Sequence, residues 1–581
     1  YTYDLYNRLS TVTVDLTPGD QSTADGEKYT TTYTYLNSSS KLVKTITQDD
    51  QTVLTIDYYN PITGDPVGNL QRVKSIIDGE GNSLTFNYVL SSNTTHVTDT
   101  LGNVTTYKYD DKGRLTNLLS PAVNGQRSET EYVYNDSDDI VEIIDSKGHS
   151  VVFKYDENGN QEFQQDTLGN TVTREYDTDN FNLLIKETVY LAADADGLNE
   201  GEAGEGLSTN YIYDANRNLA FVVSANGSIE EYQYNDIGQK KATLTYANTY
   251  EGQLDLNALQ TWGIAQRTGG EDVSRTDYIY DFRGQVEKTI IFEKLDIDGN
   301  GVEDGTERVI EFVYDSTGKL RRTIDPRAKE AGNNEEDYTT QFNYDGLGRL
   351  TETIDAKGNP TSNTYNDANQ TITTRAANGL ITTKVYNAAG DVVTITNTDQ
   401  QQNDLGQTKF YYDENGRLRS TEDATGVRNH IIYDEKGRSK ATVDGVGAVT
   451  LIEYDGNNNP VKATQYSKRI DTTGLIDHTG AVTEVDIEFL IEEAYAGDLE
   501  AHGKDRISYT VYDDANKLIF TIDAEGFVSE NIYDGASRVT DIINYGEAIE
   551  VSGEELPDVH TIRKLLLEEA VKITTLAEEV S

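Results

Sequence analysis

The sequence predicts an all-β chain, a long antiparallel meander of β-hairpins, on three observations. A tyrosine followed by Asp or Asn returns every 21 residues: from Tyr134 to Tyr155 and Tyr176, Tyr213 to Tyr234, Tyr344 to Tyr365 and Tyr386, Tyr412 to Tyr433 and Tyr454, and Tyr512 to Tyr533. Self-similarity at a fixed period marks a repeat architecture. Each unit carries two turn signals, Asp-x-x-Gly and Tyr-Asp-x-x-Gly, in which Asp bonds the backbone ahead and Gly accepts the positive φ that ends the turn. Between turns lie short runs rich in Thr, Val, Ile and Tyr, such as Thr171–Tyr176 and Val449–Tyr454, which is strand composition. Alternation along these runs is weak; one face of the first carries Val172, Arg174 and Tyr176. Two wet faces suit a single wound sheet better than a sandwich, with Tyr and Leu packing between turns of the winding.

Composition bounds the partners. The 581 residues carry a net charge of −51, which disfavours nucleic acid or anionic lipid at the surface and fits a secreted, salt-exposed or cation-binding protein. No apolar run approaches the roughly 20 residues that span a bilayer, so no membrane span is expected. Hydrophobic content is modest at 36%, but 39 tyrosines supply amphipathic surface, so the chain does not read as disordered. There is no cysteine, which excludes disulfides, and no methionine. With Tyr1 already inside a Tyr-Thr-Tyr-Asp beat, the sequence reads as a piece of a larger protein.

Taken in order, residues 1–98 hold irregular units, among them Tyr3-Asp4 with Asn7-Arg8-Leu9, and Asp78 to Asn82 ahead of Phe86-Asn87-Tyr88. A regular array follows over 99–544, interrupted at about 190–207, 246–276 and 466–508. Residues 545–581 read as an acidic amphipathic helical insertion or truncated end. Three insertions leave at one phase, since Tyr246, Tyr466 and Tyr545 each stand twelve residues after a beat tyrosine. Each has a helical patch: a short one at Leu254–Gln260 followed by the only Trp, Trp262; Val485–Tyr495; and Leu566, Ala570, Ile573, Ala577 and Val580 at helical spacing. Such patches are expected to lie on the sheet as lids or plugs, with partner-binding helices as the other reading.

One stretch points to a metal. Asp296, Asp298, Asn300, Val302, Asp304 and Glu307 occupy the constrained positions of a twelve-residue calcium loop, with Gly301 at its sharp turn. Alternate oxygen ligands converge when such a loop curls around a hard cation. The flanks, Val286–Leu295 and Arg308–Tyr314, read as strands rather than the helices of an EF-hand. The site is therefore expected to be a structural Ca2+ staple, or else an acidic, solvated hairpin tip. Asp194-Ala-Asp196-Gly-Leu-Asn199-Glu200 lacks a ligand and the glycine in register, and reads as a solvated turn. Catalysis has little support: His96, His149, His430, His478, His502 and His560 are scattered, and the repeated aspartates suit a backbone role in turns. Repeated tyrosines could stack on sugars, but their fixed phase suits inter-strand packing better.

The runs Tyr109-Asp-Asp-Lys-Gly-Arg-Leu115, Tyr344-Asp-Gly-Leu-Gly-Arg-Leu350 and Tyr412-Asp-Glu-Asn-Gly-Arg-Leu418 resemble the YD repeats of the RHS family, which includes Rhs polymorphic toxins, Tc toxin shell components and teneurins. The resemblance covers nearly the whole chain. It implies a β-sheet wound in a spiral into a shell or tube, enclosing a C-terminal toxin in the toxins and forming part of an adhesion structure in teneurins. The family's core segment with its self-cleaving aspartates has no counterpart here, so no cleavage residue carries over. The expectation is a non-enzymatic scaffold of a secreted or surface protein, bacterial in origin. Its expected partners are the rest of its own polypeptide, including an enclosed C-terminal domain. The alternatives are an adhesion or filament-like protein that self-assembles or binds cell-surface proteins or glycans and, more remotely, a carbohydrate-active enzyme.

Overall fold

The computed structural model describes residues 1–16, 28–60, 65–123, 125–177, 181–194, 206–269, 272–296, 298–330, 332–475, 486–551 and 556–568. They form one antiparallel sheet of 40 strands, each paired with the next in chain order, and the sheet does not close on itself.

Most of the tight turns are closed by the side chain of their first residue, an Asp or Asn. At the Asp99 turn, Oδ1 accepts from the N–H groups of Leu101 (2.9 Å) and Asn103 (2.8 Å), and Oδ2 from the Asn103 amide (2.8 Å). Gly102 takes φ +87°, a conformation open to glycine and costly for most other residues. The second turn of most units adds a bulge. Pairing slips by one residue just before the beat tyrosine at Tyr134, Tyr155, Tyr213, Tyr234, Tyr344, Tyr433 and Tyr533. A bulge bends its strand and tightens the right-handed twist. Most of the tyrosine-end hairpins carry such a bulge, though not that of Tyr365, and bulges repeated at one end make the bend accumulate, so that the ribbon winds.

The ribbon has two rims: one holds the Tyr-Asp turns, the other the Asp-x-x-Gly turns. The insertions at 191–205, 247–272, 293–307, 325–338, 470–505 and from 545 leave the Asp-x-x-Gly rim, while the 59–72 loop leaves the Tyr-Asp rim. Residues 264 to 289 positions apart meet across successive windings, Asp-x-x-Gly rim against Tyr-Asp rim. Asn82 donates to Asp367 (3.1 Å), Asn415 to Asp145 (2.7 Å), Lys517 to Ser228 (3.3 Å), and Arg538 reaches Asp272 (2.5 Å).

Buried apolar side chains gather where insertions lie on the sheet. Phe221, Ile229, Leu244 and Tyr246 pack with Leu259 of helix Leu256–Gly269. Val443 and Val449 pack with Ile487 and Ile491 of helix Ile487–Tyr495, whose N-cap is Asp486. Phe520 and Val528 pack with Ile562, in a helical stretch that starts at 559.

One expectation changes. The first helix is much longer than Leu254–Gln260 and contains Trp262. Thr261, Gly263 and Ile264 are poor helix formers, and docking overrides them. Gly263 is needed there, because a Cβ would stand 2.8 Å from the Tyr246 hydroxyl. Most of the beat tyrosines tie neighbouring hairpins within one winding, the hydroxyl donating to a carbonyl of the hairpin before it, as Tyr134 to Leu115 and Tyr365 to Leu350. Val485, the 570–580 positions and residues 195–200 lie outside the described residues.

Candidate functional site

The repeated unit is itself the best-defined side-chain constellation. Asp345 Oδ1 accepts from the Leu347 and Arg349 amides (3.0 and 2.9 Å), and Oδ2 holds the Arg349 guanidinium at 2.7 Å. That guanidinium lies 4.3 Å over the ring of Tyr365, whose hydroxyl donates to the Leu350 carbonyl (2.8 Å). Asp, Arg and the next tyrosine thus clasp two adjacent hairpins. The same clasp recurs at Asp110–Arg114–Tyr134, Asp413–Arg417–Tyr433 and Asp434–Arg438–Tyr454. At Asp110 the Arg114 amide, opposed by desolvation and helped by the guanidinium, holds the carboxyl below its usual value. These groups serve the backbone and one another, which accounts for their repetition without chemistry.

Two insertion roots carry a second constellation that sequence spacing did not reveal. Buried Tyr246 donates to Glu231, fifteen residues back, and Arg267 from the helix donates to both Glu231 (2.9 Å) and the Tyr246 hydroxyl (2.8 Å). In the last insertion Tyr545 donates to Glu530 (2.6 Å), again fifteen residues back, and Arg563 approaches it at 3.4 Å. In the middle insertion Leu451 stands at the corresponding position and joins the apolar cluster; Tyr495 instead donates to Asp505 and stacks on His502 at 3.8 Å. A glutamate fifteen residues before the root tyrosine is the sequence signal that could have found these pairs.

Burial, then the neighbouring Glu530, pushes the Tyr545 phenol up to about 12. A raised folded pKa means that this contact contributes fully below pH 10 and is lost as pH climbs from 10 towards 12. The phenolate absorbance difference between the wild type and Tyr545→Phe is expected to titrate near pH 12. A midpoint at the ordinary value of 10.0 would contradict the Glu530 contact.

The acidic tip forms the array's own turn. Asp296 Oδ1 accepts from the Asp298 and Asn300 amides (3.0 and 2.8 Å), and Gly299, not Gly301, takes the positive φ. Gly301 is needed for space, since a Cβ would lie 2.3 Å from the Phe292 ring. Asp304 is held by Lys294 (2.6 Å), and then by Thr306, which together lower its carboxyl to about 2. Glu307 accepts from the Gly305 amide, Val302 N–H donates to Lys294, and buried Arg275 donates to the Gly299 carbonyl (2.7 Å). The oxygens suit calcium in kind, but in this arrangement they do not converge. Among the described residues, no group of three or more acidic or histidine side chains is placed to hold an ion.

A family model described as RHS Repeat matches residues 91–122. No curated protein matches the chain. Among solved structures, TcdB2-TccC3 without its hypervariable C-terminal region shares 13% identity over 86% of this chain and 26% of that one, with a TM-score of 0.44. TcdB2-TccC3 shares 13% over 90% and 29%, with a TM-score of 0.40. The Photorhabdus luminescens Tc holotoxin pore shares 11% over 88% and 28%, with a TM-score of 0.36. The chain thus spans under a third of each of these structures. The matched stretch contains strands Val104–Tyr109 and Leu115–Leu119 with the Asp110–Arg114 clasp between them. The turn-and-clasp unit seen there recurs along the sheet on both sides of the match, so the RHS repeat at 91–122 is one unit of the array.

Proposed function

We propose that this structural repeat scaffold is part of the wall of a hollow β-shell, in a secreted or surface protein, around a C-terminal toxin or effector domain of the same polypeptide. The observation that supports this is the winding: an unclosed ribbon whose rims meet again 264 to 294 residues further on suits a wound wall. The clasps are all occupied by the turns, which suits a wall rather than a catalyst. Electron microscopy and limited proteolysis of the full-length polypeptide test this. A C-terminal domain inside the winding, resistant to protease until the wall unfolds, is expected. A tube open at both ends with a freely digested C-terminal domain overturns the reading.

Calcium at the 296–307 tip is a separate proposal carried by the sequence pattern. Binding requires Asp304 to leave Lys294 and Asp296 to leave its turn amides. Affinity on the order of 10⁻⁴ to 10⁻³ M is expected, as in extracellular modules. Millimolar calcium should raise protease resistance at the tip, and a chelator should remove that gain; no change with either sinks the proposal.

A further inference from the structure

The contact between windings differs in kind from everything that holds each winding together. Among the described residues no strand pairs across it; turns touch turns. Its named contacts are polar, among them Lys436–Asp166 (2.9 Å), Asn415–Asp145 and Arg538–Asp272. Each of the three buried apolar clusters lies within a single winding. The buried clusters that supply the hydrophobic term of folding are therefore spread along the ribbon and do not cross this line.

Three glycines mark the closest approach. Among the Tyr-Asp and Tyr-Asn turns, glycine directly follows the turn residue at Gly346, Gly456 and Gly535, all in the second winding. None of the three has a positive φ, so backbone conformation does not demand glycine there. Space does. A Cβ at Gly346 would stand 2.4 Å from the Thr52 hydroxyl, at Gly456 2.3 Å from the Tyr190 carbonyl, and at Gly535 2.6 Å from the Asn248 carbonyl. The Gly456 and Gly535 amides donate across the line to the Leu191 and Ala247 carbonyls.

The line also has a fault. The Asp78 turn meets Asp367 and the Asp145 turn meets Asn415. Between those points the first winding has two turns, at 99–103 and 120–128, and the second winding has one, at 387–391. Cavities of about 660 and 490 Å³ flank Asn387 at this step, the larger lined by Leu84, Leu101, Tyr365 and Ile372.

We propose that the boundary between windings is a separable seam. The rims part along it while the strands on either side stay paired, beginning at the step beside Asn387, and Gly346, Gly456 and Gly535 set how closely it shuts. This is a property of the wall whatever it encloses. Hydrogen exchange of the 581-residue chain reads it directly, because the Gly456 and Gly535 amides report the seam and the Ile452 and Ile532 amides report the strands. About 1 M NaCl, which shortens the Debye length to about 3 Å, is expected to speed the two glycine amides about tenfold and leave the strand amides unchanged. In this cysteine-free chain, Ser228→Cys with Lys517→Cys joined by a bis-maleimide linker should cancel that gain at Gly535. Gly456→Val with Gly535→Val should enlarge the hydrodynamic radius with the strand circular dichroism intact. Seam and strand amides that exchange together, or glycine amides indifferent to salt, overturn the proposal.

Discussion

Glu231→Ala is expected to cost about 3–5 kcal/mol, because it strands the guanidinium of Arg267 in a buried site without its counter-charge. The two side chains are only 10% and 8% exposed, and the Arg267 Nε already has no partner. The Tyr246 hydroxyl loses its acceptor in the same step. Glu231→Gln keeps an acceptor and should cost less. Glu530→Ala makes the contrasting case: Arg563 is 61% exposed and can turn to water, so a loss of about 1 kcal/mol is expected. Trp262 is the natural reporter for the first pair, since it is the only tryptophan and its ring lies 4.9 Å from that of Tyr246. Urea unfolding followed by its fluorescence should shift to a lower midpoint in Glu231→Ala. An unchanged midpoint would mean that the clasp does not hold the helix.

The second large effect is expected from Phe520→Ala. Phe520 is fully buried, packed with Val528, Ile549 and Ile562, and truncating such a ring costs about 3–5 kcal/mol in lost transfer energy and cavity formation. Phe282→Ala, at a site 51% exposed, should be nearly neutral. The damage should also stay local. Repeat arrays bury their core between neighbours, so stability is a sum of near contacts. Hydrogen exchange should accelerate between about 506 and 562 and remain unchanged in the strands around Tyr134 and Tyr155. Uniform loss of protection along the ribbon would show that the chain unfolds as one cooperative unit.

Local chemistry was legible in advance. The aspartates at 99, 110 and 345, the glycines three residues on, and the tyrosines one period apart identify hairpins, because a turn is closed by atoms within five residues. The strand reading of Arg308–Tyr314 followed for the same reason, and that of Val286–Leu295 held as far as Phe292. The acidic tip shows one thing that pattern leaves undecided. Six positions fit a cation loop, yet Lys294 and the turn amides, equally close in sequence, engage the same oxygens in this geometry. Trp262 and Gly263 show another: a helix that looked short was extended by the surface on which it docks.

The sequence by itself determined the unit, its two turns, its period and the single phase at which the three long helical insertions leave. Only the tertiary structure decided what that phase means, namely one rim of a ribbon, and which distant turns meet across the windings. The reason is physical. Each bulge at a tyrosine turn adds a small bend, and where the ribbon meets itself depends on the sum of many such bends, a quantity no single repeat contains. The partners of Glu231 and Gly456 lie where that sum and the docked insertions bring them, 36 residues away at Arg267 and on another winding at Leu191.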